Sequence, residues 1–243
     1  MSEPPAPFPV PPAPEASPLG DEDRQRLAAL RERIGAQLTR FAGYPVNATF
    51  DFGELLDLLG APLNNVGDPW SPSLYGLNTH DFERDVVAWF AALTHAPEGE
   101  SWGYVTTGGT EGNLYGIFLG RELYPEGMVY YSEDTHYSVS KVLRMLHVRN
   151  LMVRSEPDGR LDLHDLRASI NLHRDVPPIL FINAGTTMKG AVDDLRGVRQ
   201  VLKELAVRDY YIHVDAALSG MILPFVPEPE AFDFRDGAHS LSI

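Results

Sequence analysis

Cysteine is absent from this chain of 243 residues, which excludes disulfides and thiolate metal sites and gives no sign of an oxidising compartment. Basic residues are scarce as well, and the net charge of −14 argues against nucleic acid and anionic membranes as partners. No apolar run approaches the length of a membrane span, and the first residues lack the basic and apolar regions of a signal peptide. We therefore expect a cytoplasmic protein without a membrane or nucleic-acid partner.

Proline dominates the start of the chain, with eight prolines in residues 1–18. The segment has almost no large apolar side chains, and the small surface that it could bury cannot offset the entropy lost on ordering. The composition therefore predicts a disordered tail over residues 1–20. A ligand for an aromatic groove is the alternative. Apolar residues then recur at helical spacing over residues 21–41 and again over residues 79–93, which predicts an N-terminal helical segment over residues 21–95.

The remainder, residues 96–243, alternates between strand and helix patterns. The predicted strands are 101–106, 128–132, 149–155, 179–185 and 209–216, and the predicted helices are 110–123, 137–147, 162–173 and 194–207. This alternation predicts an α/β fold with a mainly parallel sheet flanked by helices. Ligands of such sheets bind beyond the carboxyl ends of the strands, where several polar residues of this chain are expected.

A glycine-rich turn precedes one of the predicted helices. Gly108, Gly109 and Thr110 stand at its start, where free backbone N–H groups and the helix dipole favour a phosphate. The alternative is an ordinary turn in which Thr110 caps the helix. Taken alone, the turn favours this alternative, because it matches neither a Walker nor a dinucleotide pattern.

Four further residues lie at or after predicted strand ends. Asp215 could hold a proton on a pyridine nitrogen, with an N-cap or a buried ion pair as its alternative. Ala217 is small enough to let a flat ring lie against the backbone. His136 could stack on such a ring and move a proton, or it is a plain loop histidine. Thr186 could bind a ring hydroxyl or a phosphate, or cap its own turn. With the glycine turn, these residues make up the parts of a pyridoxal 5′-phosphate site.

Longer runs carry a resemblance to a known family. From Gly43 to the last residue, the chain resembles the group II pyridoxal-phosphate-dependent amino-acid decarboxylases, and within them the histidine decarboxylase and serine decarboxylase branch. The matching runs are 107–113, 120–123, 136–139, 185–187, 189–194 and 215–221. Runs of this number are far more specific than any one motif.

The resemblance implies the large domain of fold-type I pyridoxal-phosphate enzymes for residues 96–243, an amino-acid substrate, and a homodimer with the site at the subunit boundary. The implied catalytic residues are His136 and Asp215. The implied cofactor-binding residues are Gly108, Gly109, Thr110, His136, Thr186, Asp215 and Ala217. No metal site is expected.

The lysine that forms the Schiff base in this family has no counterpart among the three lysines of the chain. We expect it to follow residue 243, which would leave the large domain incomplete and the 243 residues inactive alone. Histidine is the first choice of substrate, and serine or a small apolar amino acid such as valine is the second. A non-catalytic fragment, and an aminotransferase or lyase of the same fold type, are the remaining alternatives.

Overall fold

A computed structural model describes residues 19–43, 49 and 51–243. The predicted disordered tail therefore falls, except for its last two residues, outside the described residues. The chain divides into two compact units, residues 1–55 and 56–243. The boundary predicted at residue 95 stays a prediction.

The first unit contains helix α1, Asp21–Leu38. Three acidic residues in its first turn interact favourably with the positive end of the helix dipole. The predicted apolar face is present, but none of its residues is buried within this unit. Leu27, Leu30, Ile34 and Leu38 are each more than one third exposed.

The second unit is built on one five-stranded sheet. Its strands are β1 Met128–Ser132, β2 Arg149–Val153, β3 Pro178–Asn183, β4 Tyr211–Asp215 and β5 Ser240–Ser242. All neighbouring strands are parallel, in the order β2–β1–β3–β4–β5. The helices are α2 His80–Leu93, α3 Gly109–Leu123, α4 Ser138–Met145, α5 Leu163–Leu172 and α6 Leu195–Glu204. The predicted parallel α/β fold is confirmed. No helix in the described part of the chain is long and apolar enough to cross a membrane.

Apolar residues cover both faces of the sheet. Strand β3 is buried along its whole length, as expected for a strand with helices on both faces. Ile179 and Phe181 belong to the cluster that includes side chains of α3 and α4. Leu180 and Ile182 belong to the opposite cluster, which includes side chains of α5 and α6. The alternation along one strand thus joins two cores.

The predicted strand at residues 101–106 is wrong, because this segment forms no strand. Two of its backbone groups bond to side chains and not to a neighbouring strand. The Glu83 carboxylate accepts a hydrogen bond from the Val105 N–H at 2.9 Å, and the Trp70 indole donates to the Gly103 carbonyl at 2.9 Å. A short apolar pattern does not distinguish a strand from such a segment.

Helix α3 lies unusually close to the sheet. A Cβ atom at Gly116 would come within 2.1 Å of the His213 ring on β4, and one at Gly112 within 2.6 Å of the Ser242 Cβ on β5. Only glycine permits these approaches. The close packing fixes the first turns of α3 against the carboxyl ends of β4 and β5.

Candidate active site

The predicted site residues of three different elements meet at the carboxyl edge of the sheet. His136 follows β1 and Asp215 ends β4. The first residue of α3, Gly109, reaches the same edge, since a Cβ atom there would lie 2.7 Å from the Ala217 Cβ. Residues far apart in the sequence are thus brought around one point, as is usual for ligand sites in parallel sheets.

The start of α3 has the geometry of an anion site. Gly108 is the N-cap residue with φ 152°, a conformation that favours glycine. Its carbonyl accepts from the N–H groups of Glu111 and Gly112, whereas the N–H groups of Gly109 and Thr110 donate to no acceptor within the described part of the chain. The interpretation of Thr110 as the N-cap is wrong, because the helix already begins at Gly109. Two free N–H groups at a helix start can bind a phosphate.

Glu111 holds this turn in place, a role that the sequence did not suggest. Its Oε2 accepts from the Thr107 N–H at 2.8 Å and from the Thr107 hydroxyl at 2.6 Å, and its Oε1 accepts from the Tyr104 hydroxyl at 3.2 Å. The bonds from Thr107 lower the pKa of Glu111. Burial and the adjacent Glu111 raise the pKa of Tyr104 to about 12. The carboxylate ties the segment before the turn to the helix.

Asp215 is a buried carboxylate with a defined environment. It is 9% exposed, and its Oδ2 accepts from the Asn113 amide at 2.8 Å while its Oδ1 accepts from the Ala217 N–H at 3.1 Å. Burial raises its pKa, and the bonds from Ala217 and Asn113 and the charge of His136 oppose that rise. No lysine or arginine in the described residues forms an ion pair with it, so the buried ion-pair interpretation is wrong.

His136 is half-buried on the loop after β1. Its Nδ1 lies 2.8 Å from the Ser138 hydroxyl and 3.4 Å from the Ser138 N–H, which donates to it. A neutral imidazole with an accepting Nδ1 carries its proton on Nε2. Nε2 has no partner among the described residues. The ring also contacts Tyr137, with centroids 4.3 Å apart.

Thr186 lies in the turn after β3 and is only 2% exposed. Its hydroxyl accepts from the Ala191 N–H at 3.1 Å, and its own N–H donates to the Ala191 carbonyl at 2.9 Å. The hydroxyl therefore closes its own turn. A contact of Thr186 with a cofactor stays a prediction.

None of the three lysines is part of this arrangement. Lys189 pairs with Asp134 at 3.0 Å, Lys141 lies 4.6 Å from the centroid of the Tyr137 ring, and Lys203 is exposed on α6.

Pyridoxal phosphate fits the residues that are present. The free N–H groups at the start of α3 suit its phosphate, and the Asp215 carboxylate keeps lone pairs beyond its two hydrogen bonds for a protonated ring nitrogen. Ala217, next to Gly109, is exposed and leaves room for a flat ring. The donor at one end and the acceptor at the other match the two polar ends of the cofactor.

A parallel α/β sheet with these residues at its carboxyl edge defines a large domain of the fold-type I pyridoxal-phosphate class. The family model of the pyridoxal-dependent decarboxylase conserved domain matches residues 55–238. The chain belongs to this pyridoxal-dependent decarboxylase family, and its cofactor is pyridoxal phosphate.

Curated relatives agree with this family. The chain is 50% identical over 227 residues to histidine decarboxylase of Pseudomonas entomophila (strain L48), a match that covers 93% of this chain and 56% of the relative. It is 47% identical over 203 residues to histidine decarboxylase of Morganella morganii, covering 83% of this chain and 54% of the relative. The chain thus spans about half the length of the curated relatives it matches.

Solved structures share the fold. A crystal structure of L-methionine decarboxylase from Streptomyces sp. 590 superimposes with a TM-score of 0.80 at 25% identity, covering 91% of this chain and 62% of that one. Sphingosine-1-phosphate lyase of Burkholderia pseudomallei K96243 superimposes with a TM-score of 0.65 at 20% identity, covering 94% and 55%. The second likeness concerns the fold alone.

Proposed function

We propose that the complete protein is an amino-acid decarboxylase and that its substrate is L-histidine. The match of residues 55–238 to the pyridoxal-dependent decarboxylase family supports the reaction type, and the buried Asp215 carboxylate beside a free helix start supports the cofactor site. The names of the relatives at 47–50% identity support histidine.

The residues divide the work as follows. The N–H groups of Gly109 and Thr110 bind the phosphate, with Gly108 forming the turn that exposes them. Asp215 accepts a hydrogen bond from the protonated ring nitrogen and holds that proton. When bound, the cofactor supplies an electron sink for the electron pair that departing carbon dioxide leaves behind.

His136, Ala217 and Thr186 have further roles around the ring and the phosphate. The His136 imidazole stacks on the ring face, and its Nε2 carries a proton that it can donate near the reacting carbon. Ala217 leaves space for the opposite face. Thr186 contacts the ring hydroxyl or the phosphate through the hydrogen of its hydroxyl group.

We also propose that the protein acts as a cytoplasmic homodimer, with no nucleic-acid or membrane partner. The net charge of −14 supports the absence of polyanionic partners. Phe82, Val86 and Trp89 on α2 are 45–70% exposed and follow helical spacing, as expected of a face that a second copy covers. Sedimentation of the full-length protein at several concentrations tests this; a monomer throughout would contradict the dimer.

The assay that tests the function supplies the full-length protein with pyridoxal phosphate and measures carbon dioxide released from histidine, serine, valine and methionine. We expect release from histidine with the highest kcat/KM. Faster release from serine would replace the substrate and keep the reaction. Binding of the cofactor without release from any amino acid would contradict decarboxylation.

A further inference from the structure

Beyond the residues assigned above, a buried hydrogen-bond chain leads to Asp215. The Asn113 amide, 2% exposed on α3, donates to Asp215. The Asn113 Oδ1 in turn lies 3.0 Å from His213 Nε2 and accepts from the Ser242 hydroxyl. Two donors at the oxygen leave one orientation for the amide, with its nitrogen toward the carboxylate.

The chain continues across the sheet with one polarity. The Tyr211 hydroxyl donates to Ser240 Oγ at 2.8 Å, and Ser240 Oγ lies 2.6 Å from His213 Nδ1. With Ser240 donating, Nδ1 accepts and Nε2 carries the proton that Asn113 needs. His213 is 1% exposed, and burial lowers its pKa to about 3, so the ring is neutral near pH 7. Every donor therefore points toward Asp215.

We propose that Asn113 is a positioning residue that fixes Asp215 and keeps it ionised, and that His213 fixes the orientation of Asn113. The proposal rests on the proposed function only for the group that Asp215 meets, the cofactor ring nitrogen. An amide N–H can donate to a carboxylate but cannot accept from a carboxylic acid, so this contact favours the charged form.

The same helix serves both ends of the cofactor site. Asn113 lies one turn after Gly109, so the phosphate site and the partner of Asp215 belong to one rigid element. The Gly116 approach to His213 brings α3 close enough for the contact. The distance between the N–H groups at the start of α3 and the Asp215 carboxylate is thereby set by one helix packed on two strands.

Few charged groups besides Asn113's partner Asp215 lie in this part of the site, so few other groups act on the pKa of Asp215. His136, from the loop after β1, acts on Asp215 and favours its charged form. The other residues that neighbouring elements place near Asp215 are uncharged. They are Asn113 on α3, Ser242 on β5 and Asn183, which is the register partner of Asp215 on β3. His213 on β4 is neutral near pH 7.

The test is a titration of the Asp215 carboxyl by carbon-13 NMR in full-length protein without added cofactor, with the signal assigned through Asp215→Asn. Asn113→Asp keeps the shape and the accepting oxygen but replaces the donor by a second carboxyl. We expect the acid dissociation constant of the resulting carboxyl pair to be about 10-fold lower than that of Asp215 in the unaltered protein, which means a raised pKa. Affinity for pyridoxamine 5′-phosphate at pH 7, measured by fluorescence, should fall about 10-fold or more.

Controls separate positioning from packing. Asn150→Asp makes the same change at an exposed position and should alter neither measurement. His213→Gln keeps a donor for Asn113 and should retain the Asp215 pKa, whereas His213→Leu combined with Ser242→Ala, which removes both donors to the Asn113 Oδ1, should raise it. This pair decides the question if Asn113→Asp does not melt cooperatively.

An Asp215 pKa unchanged in Asn113→Asp, or equal in the two His213 variants, would overturn the proposal. If the unaltered protein binds neither pyridoxal phosphate nor pyridoxamine phosphate, the proposed function fails, while the titration still decides the role of Asn113.

Discussion

Two buried aspartates lie near the carboxyl edge of adjacent strands, and they differ in what surrounds them. Asp193 is 1% exposed and accepts three hydrogen bonds, from the Leu161 N–H and from the backbone and amide of Asn183, at 2.7–2.9 Å. Asp215 accepts two, and its neighbour Ala217 is exposed. Burial raises the pKa of both carboxyls, that of Asp193 to about 6.

Burial alone therefore does not identify a functional carboxylate. Asp193 joins the segment at Leu161 to β3 and is enclosed by the donors it needs, so it serves the fold. Asp215 keeps accepting capacity next to a free helix start and beside His136. A partly satisfied carboxylate that can be reached by a ligand is the one suited to chemistry.

The largest effect is expected from Asp215→Ala in the full-length protein. Without the carboxylate nothing holds the proton on the ring nitrogen, so kcat should fall at least about 100-fold. The Asn113 amide and the Ala217 N–H lose their acceptor, which should lower stability without unfolding the protein. The measurement is carbon dioxide release, with circular dichroism as the control for folding. Near-normal turnover would remove Asp215 from the site.

Asp193→Ala should act on stability instead. It leaves three buried N–H groups without an acceptor, which should lower the free energy of unfolding by about 3 kcal/mol. Asp209→Ala, at an exposed position, is the matched control and should change it by less than about 0.5 kcal/mol. Equal effects of the two changes, measured by denaturant unfolding, would contradict the structural role of Asp193.

The pH dependence of stability sharpens the same contrast. The pKa of Asp193 is about 6 in the folded chain and about 3.9 when unfolded. Between these values the folded chain binds more protons, so the contribution of Asp193 to the free energy of unfolding falls as pH rises from 4 to 6, by up to about 3 kcal/mol.

Denaturant unfolding of the unaltered protein and of Asp193→Asn at several pH values isolates this contribution. The difference in the free energy of unfolding between the two proteins should shrink from pH 4 to pH 6 and stay constant above pH 7. A difference that grows with pH would give the shift the opposite sign.

His136→Ala should have the smallest effect. A stacked ring contributes contact with the cofactor, so affinity for pyridoxal phosphate should fall about 10-fold, with little loss of stability. His164→Ala removes an exposed histidine from α5 and is the control. Absorbance measures the affinity of both variants for the cofactor. Equal affinities would show that His136 is a loop residue without a cofactor contact.

The sequence predicted the elements whose signals are local. The helices and the strands β1 to β4 follow apolar patterns, whereas β5, Ser240–Ser242, has no such pattern. Asp215 and His136 were found because they end or follow strand-like runs. The strand at 101–106 failed because contacts from Glu83 and Trp70 stand in for a neighbouring strand. Such contacts leave no trace in a short apolar pattern.

The supporting residues of the site could not be predicted. Asn113 and Asp215 are 102 positions apart, and Asp193 meets Leu161 across 32 positions. The local sequence around an asparagine within a helix does not predict that its side chain will contact a carboxylate. The glycines at positions 112 and 116 were the available signal, since spacing of this kind on one helix face favours close packing.

The most direct test of the central claim is the protonation state of the cofactor's ring nitrogen in the full-length protein. Nitrogen-15 NMR of pyridoxal phosphate labelled at that atom distinguishes the protonated from the unprotonated ring. We expect a protonated nitrogen at pH 7 in the unaltered protein and an unprotonated one in Asp215→Ala. The same unprotonated signal in both proteins would contradict the assignment of Asp215 and the account built on it.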